Sequence, residues 1–287
     1  MRGDAGAATL LRPRSTEEAI RLLGRSAKAM PLAGGTDVMV SWNAGKLAGR
    51  TFVDLSALRS LRGQRATARA LVVGALTTHT ELMRHAAVRR SFPLLGIACG
   101  TVGGVQIQNR GTLGGNIANA SPAGDTFPPL LVYDAVVIAR GPRGRREIPI
   151  GDVFVGVKKT CLAKGELIEA VRLPLPRRPT RQTFRKVGTR AAQAISKTVV
   201  AGLLWLDRRG RVEELRFAIG SVAPTVKRLR TVEAFVAGQT LSRDVVHEAA
   251  RLLARDISPI DDIRSTAEYR MAVSRNLLAG FLSGTLS

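Results

Sequence analysis

Cysteine is nearly missing from this chain: two residues, Cys99 and Cys161, stand far apart among 287. They form no Cys-x-x-Cys pair, which excludes a disulfide framework and any thiolate-held zinc or iron–sulfur site built from this chain alone. Aromatic residues are scarce too, at 4% of the sequence, leaving little with which to stack nucleic-acid bases. Acidic residues number 22 against 44 lysines and arginines, a formal net charge of +22. The basic residues are scattered and accompany no helix-turn-helix, RNA-binding sheet or zinc-finger pattern, so no nucleic-acid partner is expected. An acidic protein partner is a better use for the charge. No apolar run approaches the ~18 residues of a membrane helix, and the start of the chain lacks the apolar stretch of a secretory signal. No membrane span and a cytoplasmic location are therefore expected. There is no Gly-x-Gly-x-x-Gly fingerprint opening a helix and no Gly-x-x-x-x-Gly-Lys-Ser/Thr loop. A standard nicotinamide domain and a nucleoside-triphosphate enzyme are thereby set aside.

What the sequence does contain is glycine in pairs. Gly111-Thr-Leu-Gly-Gly-Asn-Ile-Ala-Asn-Ala-Ser-Pro-Ala-Gly-Asp125 sets Gly114 and Gly115 between Thr112 and Asn116. Such pairs occur in ordinary turns, but they also let backbone N–H groups approach an anion closely. Asp125 has no basic neighbour in sequence and reads as an acceptor for a sugar hydroxyl. A second loop of the same kind lies upstream, where the apolar residues 30–33 run as a strand into Gly34, Gly35, Thr36 and Asp37 and out through 38–40. Two such loops can grip one pyrophosphate from two sides.

Around them the periodicity predicts a short amphipathic helix over 15–24, strands at 51–55 and 71–75, and a helix from Thr77 through Ala87. A buried strand is expected over 130–139, a hairpin through 141–150 and an edge strand over 166–174. Pro174-Leu-Pro-Arg-Arg-Pro179 is the best linker. Beyond it an antiparallel meander over 184–219 precedes helices over 226–237, 244–256 and 269–282. His79, His85 and His247 have no cluster at metal spacing, and His79 reads as a turn or cap residue.

Five motifs, in this order, carry a family resemblance: residues 31–37 (Pro-Leu-Ala-Gly-Gly-Thr-Asp), 74–79 (Gly-Ala-Leu-Thr-Thr-His), 111–125, 185–188 (Arg-Lys-Val-Gly) with 195–197 (Ile-Ser-Lys), and 262–270 (Asp-Ile-Arg-Ser-Thr-Ala-Glu-Tyr-Arg). Essentially the whole chain resembles the FAD-binding medium subunits of molybdenum hydroxylases, the xanthine dehydrogenase-like and carbon monoxide dehydrogenase-like enzymes. The resemblance implies an α+β fold. A two-part FAD-binding domain of PCMH (vanillyl-alcohol oxidase-like) type would span 1–175, with subdomains about 1–56 and 57–175. A smaller α+β C-terminal domain of the CO dehydrogenase flavoprotein kind, with an antiparallel sheet and helices, would span 180–287.

The same resemblance implies the site. Leu32, Ala33, Gly34, Gly35, Thr36, Asp37 and Val38 would hold the pyrophosphate side of FAD, and Thr112, Gly114, Gly115 and Asn116 would grip it opposite. Asp125 would hold a ribityl or ribose hydroxyl. Val102 and Gly103 would lie against the flavin ring, where some relatives carry a stacking aromatic residue. Leu167 and Ile168, which otherwise read as plain core, would flank the ring. Lys186, otherwise a surface lysine, would favour negative charge on a reduced flavin. Thr36 and Asp37 stand where some flavoproteins of this fold attach FAD through histidine, so FAD is expected to be non-covalent. No catalytic residue and no metal ligand is expected in the chain.

The implied role is an oxidoreductase subunit in electron transfer. An iron–sulfur small subunit would deliver electrons, a molybdenum-binding large subunit would oxidise substrate, and NAD⁺ or another acceptor would receive them. The implied assembly is a dimer of heterotrimers, with the molybdenum cofactor and iron–sulfur clusters confined to partners. The form Lys186-Val-Gly-Thr-Arg190 leans toward the xanthine dehydrogenase-like branch. Two alternatives stay open: a free-standing FAD oxidoreductase with its own small substrate, and a basic interaction protein that retains the fold without catalysis.

Overall fold

The computed structural model describes residues 8–286. Its N-terminal part is built on a small parallel sheet in which β1 (Thr9–Leu11), β2 (Ala29–Leu32) and β3 (Thr51–Asp54) pair in the order β1-β3-β2. Two helices, α1 (Thr16–Arg25) and α2 (Thr36–Asn43), make the connections. Ser15 caps α1 by accepting the Glu18 N–H, and Glu17 and Glu18 sit where the helix dipole favours negative charge. Ala19, Ile20 and Leu23 of α1 pack with Val53, Leu55 and Leu58 as a separate small core. Residues 38–40, expected as strand, belong instead to α2, because the glycine pair turns the chain into a helical start rather than a hairpin.

The second part is a five-stranded antiparallel sheet. Its strands are β4 (Gln64–Ala66), β5 (Ala70–Gly74), β6 (Val136–Gly141), β7 (Gly144–Pro149) and, beyond a small hairpin of β8 (Phe154–Gly156) and β9 (Lys159–Thr160), β10 (Leu167–Pro174). The order is β4-β5-β10-β6-β7, so the last strand enters the middle of the sheet. That makes 166–174 a central strand, correcting the edge placement, and Pro174 is tolerated because it is the terminal residue. Alternation along the strand puts Leu167 in the small N-terminal core and Ile168 in the main one, and a bulge between Ile168 and Ala170 follows.

Six short helices carry the chain across this sheet: α3 (His79–Arg84), α4 (Ala86–Ser91), α5 (Pro93–Thr101), α6 (Val105–Gln108), α7 (Leu113–Asn119) and α8 (Phe127–Val132). A single turn, α9 (Ile150–Val153), follows β7. Val73, Val137 and Val171 of the sheet meet Leu82, Leu95, Leu113 and Leu130 of the helices in the main core. The helix expected through Ala87 breaks in two at His85. The strand expected over 130–139 is α8 followed by β6, with Asp134 turning between them at φ 48°. Pro128 and Pro129 pre-set the first turn of α8, and the helix is apolar all round because it is buried on every side.

The C-terminal domain is an antiparallel sheet of β11 (Arg181–Val187), β12 (Thr198–Leu206), β13 (Val212–Gly220) and β14 (Lys227–Arg228). Three helices, α10 (Arg230–Val236), α11 (Arg243–Leu252) and α12 (Ala267–Ser283), cover one face. β12 is buried on both faces. Val199, Ala201, Leu203 and Trp205 point into the main core of the first domain, whereas Val200 and Leu204 face the C-terminal helices. Arg228 reaches back to the carbonyl of Leu131 and Arg216 to that of Val132, so two guanidinium groups complete the C-terminus of α8 across the domain boundary.

Candidate functional site

The two glycine loops meet. Gly34 packs so closely on the segment leading to the second loop that a Cβ there would sit 1.9 Å from the Arg110 carbonyl oxygen, and a Cβ on Gly115 would lie 3.8 Å from that of Ala33. Between them runs a cleft of about 390 Å³, within the range of small-molecule sites. Ala33, Gly34, Gly35, Thr36, Asp37 and Val38 line one side, and Thr112, Gly114, Gly115 and Asn116 the other. Val102, Leu167 and Ile168 also reach the wall.

The loops contribute unequally. Both open onto helices rather than turning between strands. Gly35 is the N-cap of α2 at φ 79°, a conformation that favours glycine. Among the described residues, no acceptor faces the N–H groups of Gly34, Gly35, Thr36 or Asp37, the orphan donors of a helix start. They can therefore serve an anion. At α7 the corresponding donors are spent: Leu113 N–H bonds to Thr77, Gly114 to Ala75 and Gly115 to the Thr112 hydroxyl. The second loop instead offers Asn116, whose carbonyl oxygen accepts from the Thr126 hydroxyl at 2.6 Å, leaving its NH₂ for a ligand.

Four expected residues lie off the wall. Leu32 is the last residue of β2, with its carbonyl taken by the Leu55 N–H. Gly103 turns at φ 55° against Ile107. Asp125 and Lys186 bond to each other across the domain boundary, with Nζ 2.6 Å from one carboxylate oxygen of Asp125 and 2.8 Å from the Thr101 carbonyl. Ser196 donates to the other oxygen at 2.5 Å. Burial pushes the Asp125 carboxyl up from its ordinary value, against the pull of Lys186 and the hydrogen bonds from Lys186 and Ser196. Asp125 thus has a basic partner, distant in sequence, that the chain order hides.

Other residues come to the cleft unannounced. Lys158 sits at φ 54° and donates to the Asn119 side chain at 3.1 Å, placing an ammonium beside the cleft. Its position follows from the two-residue turn between Gly156 of β8 and Lys159 of β9. Glu166 is also there, held below the usual carboxylate range chiefly by its paired bonds from Arg146. His79, read as a turn or cap residue, is the first residue of α3 and lines the cleft; the capping is done by Thr78 and Glu81. Among the described residues no group of three His, Cys, Asp or Glu side chains could hold a metal ion, and no helix is long and apolar enough to cross a membrane.

Open amides at a helix start, a fixed amide side chain opposite and an apolar extension toward Val102, Leu167 and Ile168 fit an elongated nucleotide with a diphosphate and a flat apolar end. Fold and cleft therefore define a two-domain flavin-nucleotide protein. Residues 6–176 match the model for the FAD-binding domain in molybdopterin dehydrogenase, and 182–285 that for the CO dehydrogenase flavoprotein C-terminal domain. The chain belongs to this family of molybdopterin dehydrogenase FAD-binding proteins, and is an oxidoreductase flavoprotein subunit. It is 32% identical to a xanthine dehydrogenase FAD-binding subunit of Escherichia coli over 93% of this chain and 91% of that one. It is 28% identical to the carbon monoxide dehydrogenase medium chain of Hydrogenophaga pseudoflava, over 93% and 92%. The solved carbon monoxide dehydrogenase from that organism, in a form lacking the Mo-pyranopterin moiety of its cofactor, superposes with a TM-score of 0.91 at 27% identity, covering 100% of this chain and 99% of that chain.

Proposed function

We propose that this chain is the FAD-carrying electron-transfer subunit of a molybdenum hydroxylase, taking electrons from an iron–sulfur small subunit and passing them to NAD⁺ or another acceptor. A molybdenum-binding large subunit would carry the substrate site, in a dimer of heterotrimers. Bound FAD would supply the one- and two-electron chemistry, and this chain's residues bind it, orient it and exclude water from it. A cytoplasmic location goes with this reading, since a nucleotide acceptor is met there.

The observation that carries the proposal is the convergence of the two glycine loops on one cleft with the donors of the first loop open. Thr36, Asp37 and their glycine neighbours are assigned to the diphosphate through backbone N–H groups, with Asn116 opposite. Leu167, Ile168 and Val102 are assigned to the ring. Asp125 and Lys186, bonded to one another beneath the Thr101 carbonyl, are assigned to holding the ring-side wall, with the third N–H of Lys186 left for the cofactor. Leu32 and Gly103 shape the loops behind it.

The test is to purify the full chain alone and again after co-expression with the chains encoded beside it. The expected result is stoichiometric, dialysis-resistant but acid-extractable FAD, and co-purification of iron and molybdenum only with the partners. A colourless chain that takes up no FAD would end the proposal.

A further inference from the structure

Building on the flavin cleft proposed above, we infer that His79 is a cofactor contact: its uncharged imidazole hydrogen-bonds to the flavin nucleotide where that ligand passes Gly111. The ring is only 1% exposed and yet lines the cleft. Nδ1 is wholly enclosed and has no hydrogen-bond partner among the described residues, and Nε2 is the nitrogen on the edge beside Gly111. A buried polar side chain left unpaired costs roughly 1–3 kcal/mol, so folded proteins seldom keep one without a use.

The backbone around His79 is fixed. Its N–H donates to the Gly111 carbonyl at 3.1 Å, the Thr78–Glu81 capping box anchors the helix start, and Thr78 bridges to Thr112. The ring is therefore locked to the second glycine loop. Its Cδ2–Nε2 edge lies over the bare Cα of Gly111, where a Cβ would sit 3.2 Å from Cδ2 and 3.5 Å from Nε2. Glycine at 111 leaves that edge uncovered. Burial also holds the ring neutral by lowering its pKa to about 4, so Nε2 offers an N–H or a lone pair according to the tautomer, and no charge.

The experiment uses the full chain, stripped of flavin, with ¹⁵N-labelled histidine. His79→Gln identifies the His79 signals among those of His85 and His247. Adding FAD should quench flavin fluorescence and move a ring nitrogen of His79 to a hydrogen-bonded value, leaving the other two histidines in place. His79→Leu should weaken FAD binding roughly tenfold, the worth of one hydrogen bond, and His79→Gln should restore it to within about twofold. Quenching with the His79 signals unmoved, or full affinity in His79→Leu, overturns the inference while leaving the flavin cleft standing. No quenching at all removes both.

Discussion

A methyl group at position 34 has nowhere to go, since the Arg110 carbonyl oxygen already occupies its place. Gly34→Ala must part the two loops, so it is expected to cost about 1–3 kcal/mol and to release FAD, read from urea unfolding and from flavin retained after gel filtration. At Asp125 and Lys186 the cost has another origin. Removing either charge strands its buried partner, so Asp125→Ala should lose roughly 3–5 kcal/mol, whereas adding Lys186→Met should recover part of it. A double variant as unstable as the single one would show that the pair is not coupled. His79 sets a pH dependence. The unfolded chain binds a proton on this ring near 6.5 and the folded chain near about 4, so between these values the unfolded state holds more protons. Stability from this group is complete above pH ~6.5 and drains away as pH falls toward ~4, by up to roughly 3 kcal/mol. His79→Gln should flatten that part of the stability–pH curve. Reading the sequence located the glycine loops because φ and close approach are written in residue type. It could not show that Asp125 meets Lys186, 61 positions away, or that a nitrogen of His79 is buried without a partner, because both are properties of surroundings.

Local signals decide some elements and tertiary packing decides others. The start of α3 is local: Thr78 accepts from the Glu81 N–H while Glu81 accepts from the Thr78 N–H, a reciprocal cap. Thr78→Ala should cost about 1 kcal/mol, visible in thermal melting, and should loosen FAD because the same residue bridges to Thr112. α1 was legible for a similar reason, since its Ser15 cap and its apolar spacing agree, whereas α12 has the Thr266 cap but buries Arg270 and Ser274 along with Leu278 and Phe281. α8 was not. Six consecutive buried apolar residues suit a buried strand as well as a buried helix, and the choice is made by Pro128 and Pro129 and by the carbonyls that Arg216 and Arg228 complete from the other domain. α2 escaped notice for the opposite reason: it buries none of its own side chains, so no periodic stripe announces it.

On the scale of the molecule, the surplus of positive charge is spread over both domains, and the best-defined ion pairs are used inside the fold. Arg228 and Glu233 are bound together at the domain boundary, while Arg140 and Arg145 share Glu169 at the bulge of β10. The doubly buried β12 has a consequence for how the protein can be made. One face of its sheet is covered by α10, α11 and α12, but the other finds its cover only on the first domain, with Trp205 and Leu203 against residues such as Leu131 and Phe127. Residues 180–287 produced alone should bind a hydrophobic dye and aggregate, and mixing with separately produced 1–179 should restore a soluble, cooperative transition. A soluble, sharply melting isolated fragment would contradict this. The two family matches thus meet along a wall that neither segment covers alone, so a recombinant that exchanged one segment would have to keep the residues that face it across β12.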